Sequence, residues 1–187
     1  MKGEIKYFMN IAVYCGSSTG LDPAFQEQTT ALGTGIAQSG HSLVYGGGNA
    51  GLMGVVAKAA FENGGHVTGV LPGNIGFIVS RPQYWCTEVL TEADLTARKQ
   101  KMLELADVCI ALPGGIGTLD EITEVMTLIN TSTIDKPAIL LNVNGYYEPF
   151  REMLLQSVRA GFMKQEAFER YHFFDDCQQL FTFLETL

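Results

Sequence analysis

Pro113-Gly114-Gly115-Ile116-Gly117-Thr118 places three glycines and a hydroxyl in six residues. Small residues behind a strand let backbone N–H groups come close to an anion, and the following helix adds the positive end of its dipole. One glycine would serve for a tight turn with Thr118 as helix N-cap, so three weigh toward a phosphate cradle. A second loop, Gly46-Gly47-Gly48-Asn49-Ala50-Gly51, has the form G-x-G-x-x-G. That form alone is a weak sign of a dinucleotide site. It wants an acidic residue about 20 positions on to hold a ribose hydroxyl. The next strand ends instead in Leu71-Pro72-Gly73-Asn74, which disfavours a nicotinamide- or flavin-dependent oxidoreductase. The Lys-Ser/Thr of a P-loop is also missing, which argues against an ATPase. A third loop, Cys15-Gly16-Ser17-Ser18, offers ligand donors; its serines have no evident base that would make them nucleophiles.

Two charged residues stand out beside these loops. Leu95, Arg98, Met102 and Leu105 fall on one helical stripe, so Arg98 sits in a row that otherwise reads as buried. It either reaches out to solvent along its aliphatic stem or is held against a ligand. Lys99, next to it, reads as an edge or surface residue. Glu121 follows Thr118 by three positions, which matches a capping box. Against that reading, a carboxylate repels a phosphate bound at the same turn. Asp120, Glu121 and Glu124 within a turn and a half then call for another role, such as a carboxylate aimed at a sugar just beyond the phosphate.

The elements that must position these groups alternate. Strands are expected at Ile11–Tyr14, Ser42–Tyr45, His66–Leu71, Val108–Leu112, Ala138–Asn142 and Tyr171–Phe174, with a short one near Glu88–Leu90. Helices are expected at Pro23–Ser39, Leu52–Glu62, Leu95–Ala106, Thr118–Asn130, Tyr147–Ala160 and Asp176–Leu187. The stretch from Ile75 to Asp94, which holds Trp85, is the least regular. Such alternation means βαβ units, hence a single α/β domain over residues 1–187: a Rossmann-like, doubly wound parallel sheet with helices on both faces. Right-handed crossovers bring the strand-to-helix loops to one sheet edge, where ligands of such sheets bind.

Composition narrows the partner. A formal net charge of −8 disfavours nucleic acid, which needs a basic stripe. A small phosphorylated ligand needs only backbone amides and one or two cations. No stretch approaches the ~18 apolar residues of a membrane span, and no signal-peptide core is seen near Met1, so a cytoplasmic location is expected. Cys15, Cys86, Cys109 and Cys177 lack metal-ligand spacing and read as free thiols in a reducing compartment. His41, His66 and His172 lie at strand edges and read as structural. No metal is expected.

In combination these motifs resemble the LOG family, the cytokinin riboside 5′-monophosphate phosphoribohydrolases. Pro113 to Glu121, PGGIGTLDE, matches the family signature P-G-G-x-G-T-x-x-E, and Arg98-Lys99 with Met102 matches its Arg-Lys helix. Tyr45 to Gly54, Val13 to Ser18, Asp135-Lys136-Pro137 and Leu140 to Tyr147 are also similar, so the resemblance covers nearly the whole chain. It implies hydrolysis of the base–ribose bond of a nucleoside 5′-monophosphate, such as AMP or an N6-substituted relative, without a cofactor. It implies catalytic roles for Arg98 and Glu121. Gly16, Ser17, Gly46, Gly47, Gly48, Asn49, Lys99, Gly114, Gly115, Ile116, Gly117 and Thr118 would bind the substrate and its phosphate. A homodimer or higher homo-oligomer is implied as well. Relatives have often carried the label lysine decarboxylase; nothing here points to a pyridoxal phosphate site. Leu95-Thr96 stands where the family usually has Met-His, and the loop from Gly73 to Thr87 also departs, which bears on the base more than on the phosphate. The alternative from another class is a nucleotide-binding or carrier module without hydrolysis.

Overall fold

The computed structural model describes residues 8–76 and 83–187 of the chain, so the irregular stretch expected from Ile75 falls partly outside the described residues. Seven strands, β1 (Asn10–Tyr14), β2 (Ser42–Tyr45), β3 (Val67–Pro72), β4 (Glu88–Glu92), β5 (Val108–Ala111), β6 (Ala138–Leu141) and β7 (Tyr171–Phe174), form one sheet in the order β4-β3-β2-β1-β5-β6-β7. Every pairing is parallel. The chain winds outward from β1 in one direction and, after β5, in the other. The crevice at such a reversal is where doubly wound sheets take ligands. Val13 pairs with Tyr45 and Tyr14 with Ala111, so the loops leaving β1, β2 and β5 emerge side by side.

Helices cover both faces. α1 (Pro23–Gln38), α2 (Gly51–Glu62) and α7 (Cys177–Leu184) pack on one, where Leu32, Ile36, Val56, Ala60 and Leu180 meet Ile11 and Val13 of β1. α3 (Leu95–Leu105), α4 (Ile116–Asn130) and α5 (Glu148–Arg159) cover the other, where Met102, Ile122 and Met126 meet Ala12 and Tyr14. Successive residues of β1 thus feed opposite cores, as the two-residue period of a strand requires. Among the described residues, no helix is long and apolar enough to cross a membrane.

Several helix ends differ from expectation. α4 begins at Ile116 with Gly115 as N-cap, not at Thr118, because Thr118 is drawn inside the first turn and buried. α7 begins at Cys177, since Asp176 accepts from the Gln179 N–H and is the cap itself. A short helix, α6 (Gln165–Phe168), and a 3₁₀ turn at Val143–Gly145 were not expected. Both are too short to show a hydrophobic period. Two cations close helix ends on the α3–α4 face. Lys136 donates to the Leu103 and Ala106 carbonyls at the end of α3, and Arg170 to the Ile129 carbonyl in α4, where cations also interact favourably with the dipole.

α1 and α2 approach closely through Gly33. A Cβ there would lie 2.5 Å from the Val56 carbonyl oxygen and 2.9 Å from the Ala59 Cβ. Because the first clash is with backbone, no side-chain rotation relieves it. Gly33→Val is expected to destabilise the fold by about 1–3 kcal/mol, read as a lowered midpoint in thermal unfolding.

Candidate active site

Three glycine-containing loops meet at the carboxyl edge of β1, β2 and β5, and their contact is backbone to backbone. The Gly16 N–H donates to the Pro113 carbonyl at 3.1 Å, and the Leu52 N–H to the Gly16 carbonyl at 3.0 Å. Side chains would prevent this. A Cβ on Gly51, which has φ of +60°, would sit 2.2 Å from the Ser17 carbonyl carbon; one on Gly114 would sit 2.1 Å from Thr118 Oγ1 and 2.8 Å from the Gly16 nitrogen. These glycines are required by the loop packing alone. Gly115 and Gly117 are not. A Cβ on either meets nothing within 4 Å, and neither has positive φ. Gly117 lies within a helix, where glycine costs about 0.5–1 kcal/mol relative to alanine. The fold asks for neither glycine, and both leave bare backbone on the cavity wall.

The loops border a cavity of about 650 Å³, within the range of small-molecule sites (about 300–1,000 Å³). Cys15, Gly16, Ser17 and Gly46 to Ala50 form one side, Gly115 to Thr118 another, and Arg98, Lys99, Asp120 and Glu121 a third. All the site residues expected from sequence line it except Gly114, which lies beneath as the packing floor of the loop. Met53, Pro72 and Gln83 also line it and were not expected to, beside Leu95 of the departing Leu95-Thr96 pair; Met53, Pro72 and Leu95, with the exposed Ile116, supply apolar surface. Their types carry no chemical signal in sequence.

The helices that follow two of these loops, α2 and α4, have no side-chain cap. By contrast α1, α3 and α7 are each capped by an aspartate, Asp22, Asp94 and Asp176. The first amides of α4 therefore retain their capacity to meet an anion. The capping-box reading of Thr118 and Glu121 is corrected by this geometry. Gly115 occupies the cap position, and Glu121 turns away from it to accept from Arg98.

That pair is the centre of the site. Arg98 Nη1 donates to Glu121 Oε1 at 2.7 Å, joining α3 to α4, with the side chains only 14% and 10% exposed. Arg98 therefore lies along the cavity and does not reach for solvent. Gly46 makes room for it: a Cβ there would come 2.6 Å from Arg98 Nη1. Nη1 also touches Met102 Sδ at 3.4 Å, while Nε is buried without a hydrogen-bond partner. Burial raises the Glu121 carboxyl above its ordinary range, and Arg98 pulls it only partly back. Asp120 adds to the rise and Lys99 opposes it. Tyr14, at the end of β1, is kept neutral chiefly by its own burial, and Cys15 likewise.

Lys99 is not at the surface as expected, because α4 covers it. Its side chain is 18% exposed, and Nζ lies 2.9 Å from Asp120 Oδ2 and 2.7 Å from Glu124 Oε2. Two further residues that sequence reasoning missed hold the loop after β5 from behind. Tyr146 donates to the Gly114 carbonyl at 2.6 Å and Tyr147 to the Leu112 carbonyl at 2.7 Å. They follow β6, so only the strand order brings them to β5.

The histidines play no part here. The imidazole of His41 accepts from the Met9 N–H, and His172 packs against Phe174 and Phe183. All four cysteines are free thiols. Among the described residues, no group of three or more His, Cys, Asp or Glu could hold a metal ion.

Comparison with known proteins places the chain. The family model described as possible lysine decarboxylase matches residues 53–184. The chain is 40% identical over 162 residues to the cytokinin riboside 5′-monophosphate phosphoribohydrolase LOG of Oryza sativa subsp. japonica; the match covers 86% of this chain and 66%, just under two thirds, of the rice protein. It is 41% identical over 164 residues to LOG7 of Arabidopsis thaliana, covering 86% of this chain and 73% of that one. Among solved structures, the molybdenum cofactor carrier protein from Chlamydomonas reinhardtii superposes with a TM-score of 0.73 at 23% identity. That superposition covers 96% of this chain and 98% of the other, a likeness of fold. With the family match over most of its length and relatives about 40% identical, the chain belongs to the LOG family, that of the possible lysine decarboxylase model.

Proposed function

We propose that this protein hydrolyses the N-glycosidic bond of adenosine-type nucleoside 5′-monophosphates, including N6-substituted ones, releasing the free base and ribose 5-phosphate. The observation that carries the reading is the buried Arg98–Glu121 pair beside the uncapped start of α4. The amides from Gly114 to Thr118 hold the phosphate. Gly16, Ser17 and Gly46 to Asn49 line the opposite wall against the sugar and base. The names of the relatives, about 40% identical, support the same chemistry and the N6-substituted substrate class.

Glycosidic cleavage passes through a sugar with oxocarbenium character. The Glu121 carboxylate, a few ångströms from the phosphate cradle, stabilises that charge and positions water. Arg98 holds the carboxylate in place through Nη1, and its unpartnered Nε is free to donate to an oxygen of the nucleotide. A rigid, buried pair of this kind is pre-aimed, so little reorganisation accompanies the reaction.

Incubation of the protein with AMP and with N6-isopentenyl AMP, followed by chromatography, is expected to show free base from at least one. Tight AMP binding by calorimetry with no base released from either would favour a nucleotide-binding or carrier module. Glu121→Gln still accepts from Arg98 but carries no charge. It is expected to retain AMP binding while hydrolysis falls about 10²–10⁴-fold; unchanged turnover would remove Glu121 from the mechanism. The pH dependence follows from burial. Because the Glu121 carboxyl is raised, it gains its proton at a higher pH than an ordinary glutamate as pH falls. The acid limb of the kcat/KM profile is therefore expected above the usual carboxylate range. Arg98→Gln, which removes the group that lowers Glu121, is expected to move that limb further up.

A further inference from the structure

The structure assigns Lys99 the role of a positioning residue that offsets the charge of Asp120 and Glu124 so that a phosphate can approach the start of α4. The inference rests on the proposed phosphate cradle. It departs from direct phosphate ligation by Lys99, which the family resemblance implies.

The argument begins with the charges that face each other across α3 and α4. Arg98 and Lys99 present two cations to Asp120, Glu121 and Glu124, leaving one formal negative charge in the cluster. Glu121 is taken by Arg98. Asp120 and Glu124 are both taken by Lys99, whose ammonium lies between them at 2.9 and 2.7 Å. Burial alone would lower the Lys99 pKa, yet the hydrogen bonds and charges of the two carboxylates raise it overall, so the cation persists.

Asp120 lines the cavity on the same turn as Gly117 and Thr118. A carboxylate there opposes any phosphate drawn to the same amides. Its side chain is 62% exposed and that of Glu124 35%. Ion pairs with partners so exposed contribute little to stability. Their consequence is local: without Lys99, two uncompensated carboxylates flank the anion site on the helix whose positive end is meant to serve it. Lys99 also fixes α3 against α4 one residue from Arg98, which keeps the catalytic pair in register.

Calorimetry with ribose 5-phosphate tests this independently of turnover. Lys99→Met is expected to weaken ribose 5-phosphate binding about five- to tenfold, while adenine, which has no phosphate, binds as in the wild type. Lys99→Arg is expected to restore most of the loss. The double variant Lys99→Met/Asp120→Asn is expected to recover affinity, because the charge that Lys99 opposes has been removed. Asp120→Asn alone is expected to bind ribose 5-phosphate more tightly than wild type, and it stays informative if Lys99→Met fails to fold. Steady-state kinetics with AMP should follow the same pattern, KM rising in Lys99→Met more than kcat falls. Failure of Asp120→Asn to rescue Lys99→Met, or equal losses for adenine and ribose 5-phosphate, would overturn the inference. Absence of base release by a wild type that binds ribose 5-phosphate would count against the hydrolase reading and leave the charge-balancing role standing.

Discussion

The site depends on the close approach of three loops at the carboxyl edge of the sheet, bridged by the Gly16–Pro113 and Leu52–Gly16 backbone hydrogen bonds. The loops can pack this closely because Gly51 and Gly114 sit where a Cβ would collide with backbone or with the Thr118 side chain. Once the loops are locked together, the starts of α2 and α4 face a common cavity, and the outward-directed amides of those helices come free of charge to any anion that enters. The sheet order makes the approach possible, since β1 lies between β2 and β5.

A buried ion pair seldom stabilises a fold, because removing two charges from water costs more than their attraction returns unless hydrogen bonding is nearly complete. Arg98 and Glu121 are not completely satisfied: one guanidinium nitrogen has no partner, and the carboxyl is raised by its burial. Space is given up for the pair as well, since Gly46 must remain without a side chain to admit the guanidinium. Groups held incompletely paired, at a cost the core does not require, are characteristic of sites that wait for a ligand. The neighbouring Lys99 cluster has a different character: one ammonium is shared by two carboxylates, and Asp120 lies near solvent.

Support for the cavity comes from residues remote in the chain. Tyr146 and Tyr147 hold the carbonyls of Gly114 and Leu112, and Asn142 in turn accepts from the Tyr147 N–H. Lys136 and Arg170 close the far ends of α3 and α4. The two helices that carry Arg98 and Glu121 are therefore anchored at both ends, by ion pairs near the cavity and by capped carbonyls away from it. Such anchoring holds the two side chains in place before any ligand enters.

Much of this was legible in the chain itself. Alternating apolar runs and helical periods determined the parallel α/β class and nearly every element, because periods of 2.0 and 3.6 are local properties. The glycine loops and the stripe holding Arg98 pointed to the cavity for the same reason. Whether Glu121 caps its helix or turns to Arg98 was not legible, since both readings have the same spacing; Gly115 taking the cap position and Arg98 lying 23 residues upstream decided it. Nor did the chain distinguish glycines needed for packing, such as Gly51 and Gly114, from Gly115 and Gly117, which face open space. The covered position of Lys99 and the tyrosine braces were likewise decided only in three dimensions. These depend on which strands lie side by side and which helix faces meet, and no period within a single segment encodes the register between segments.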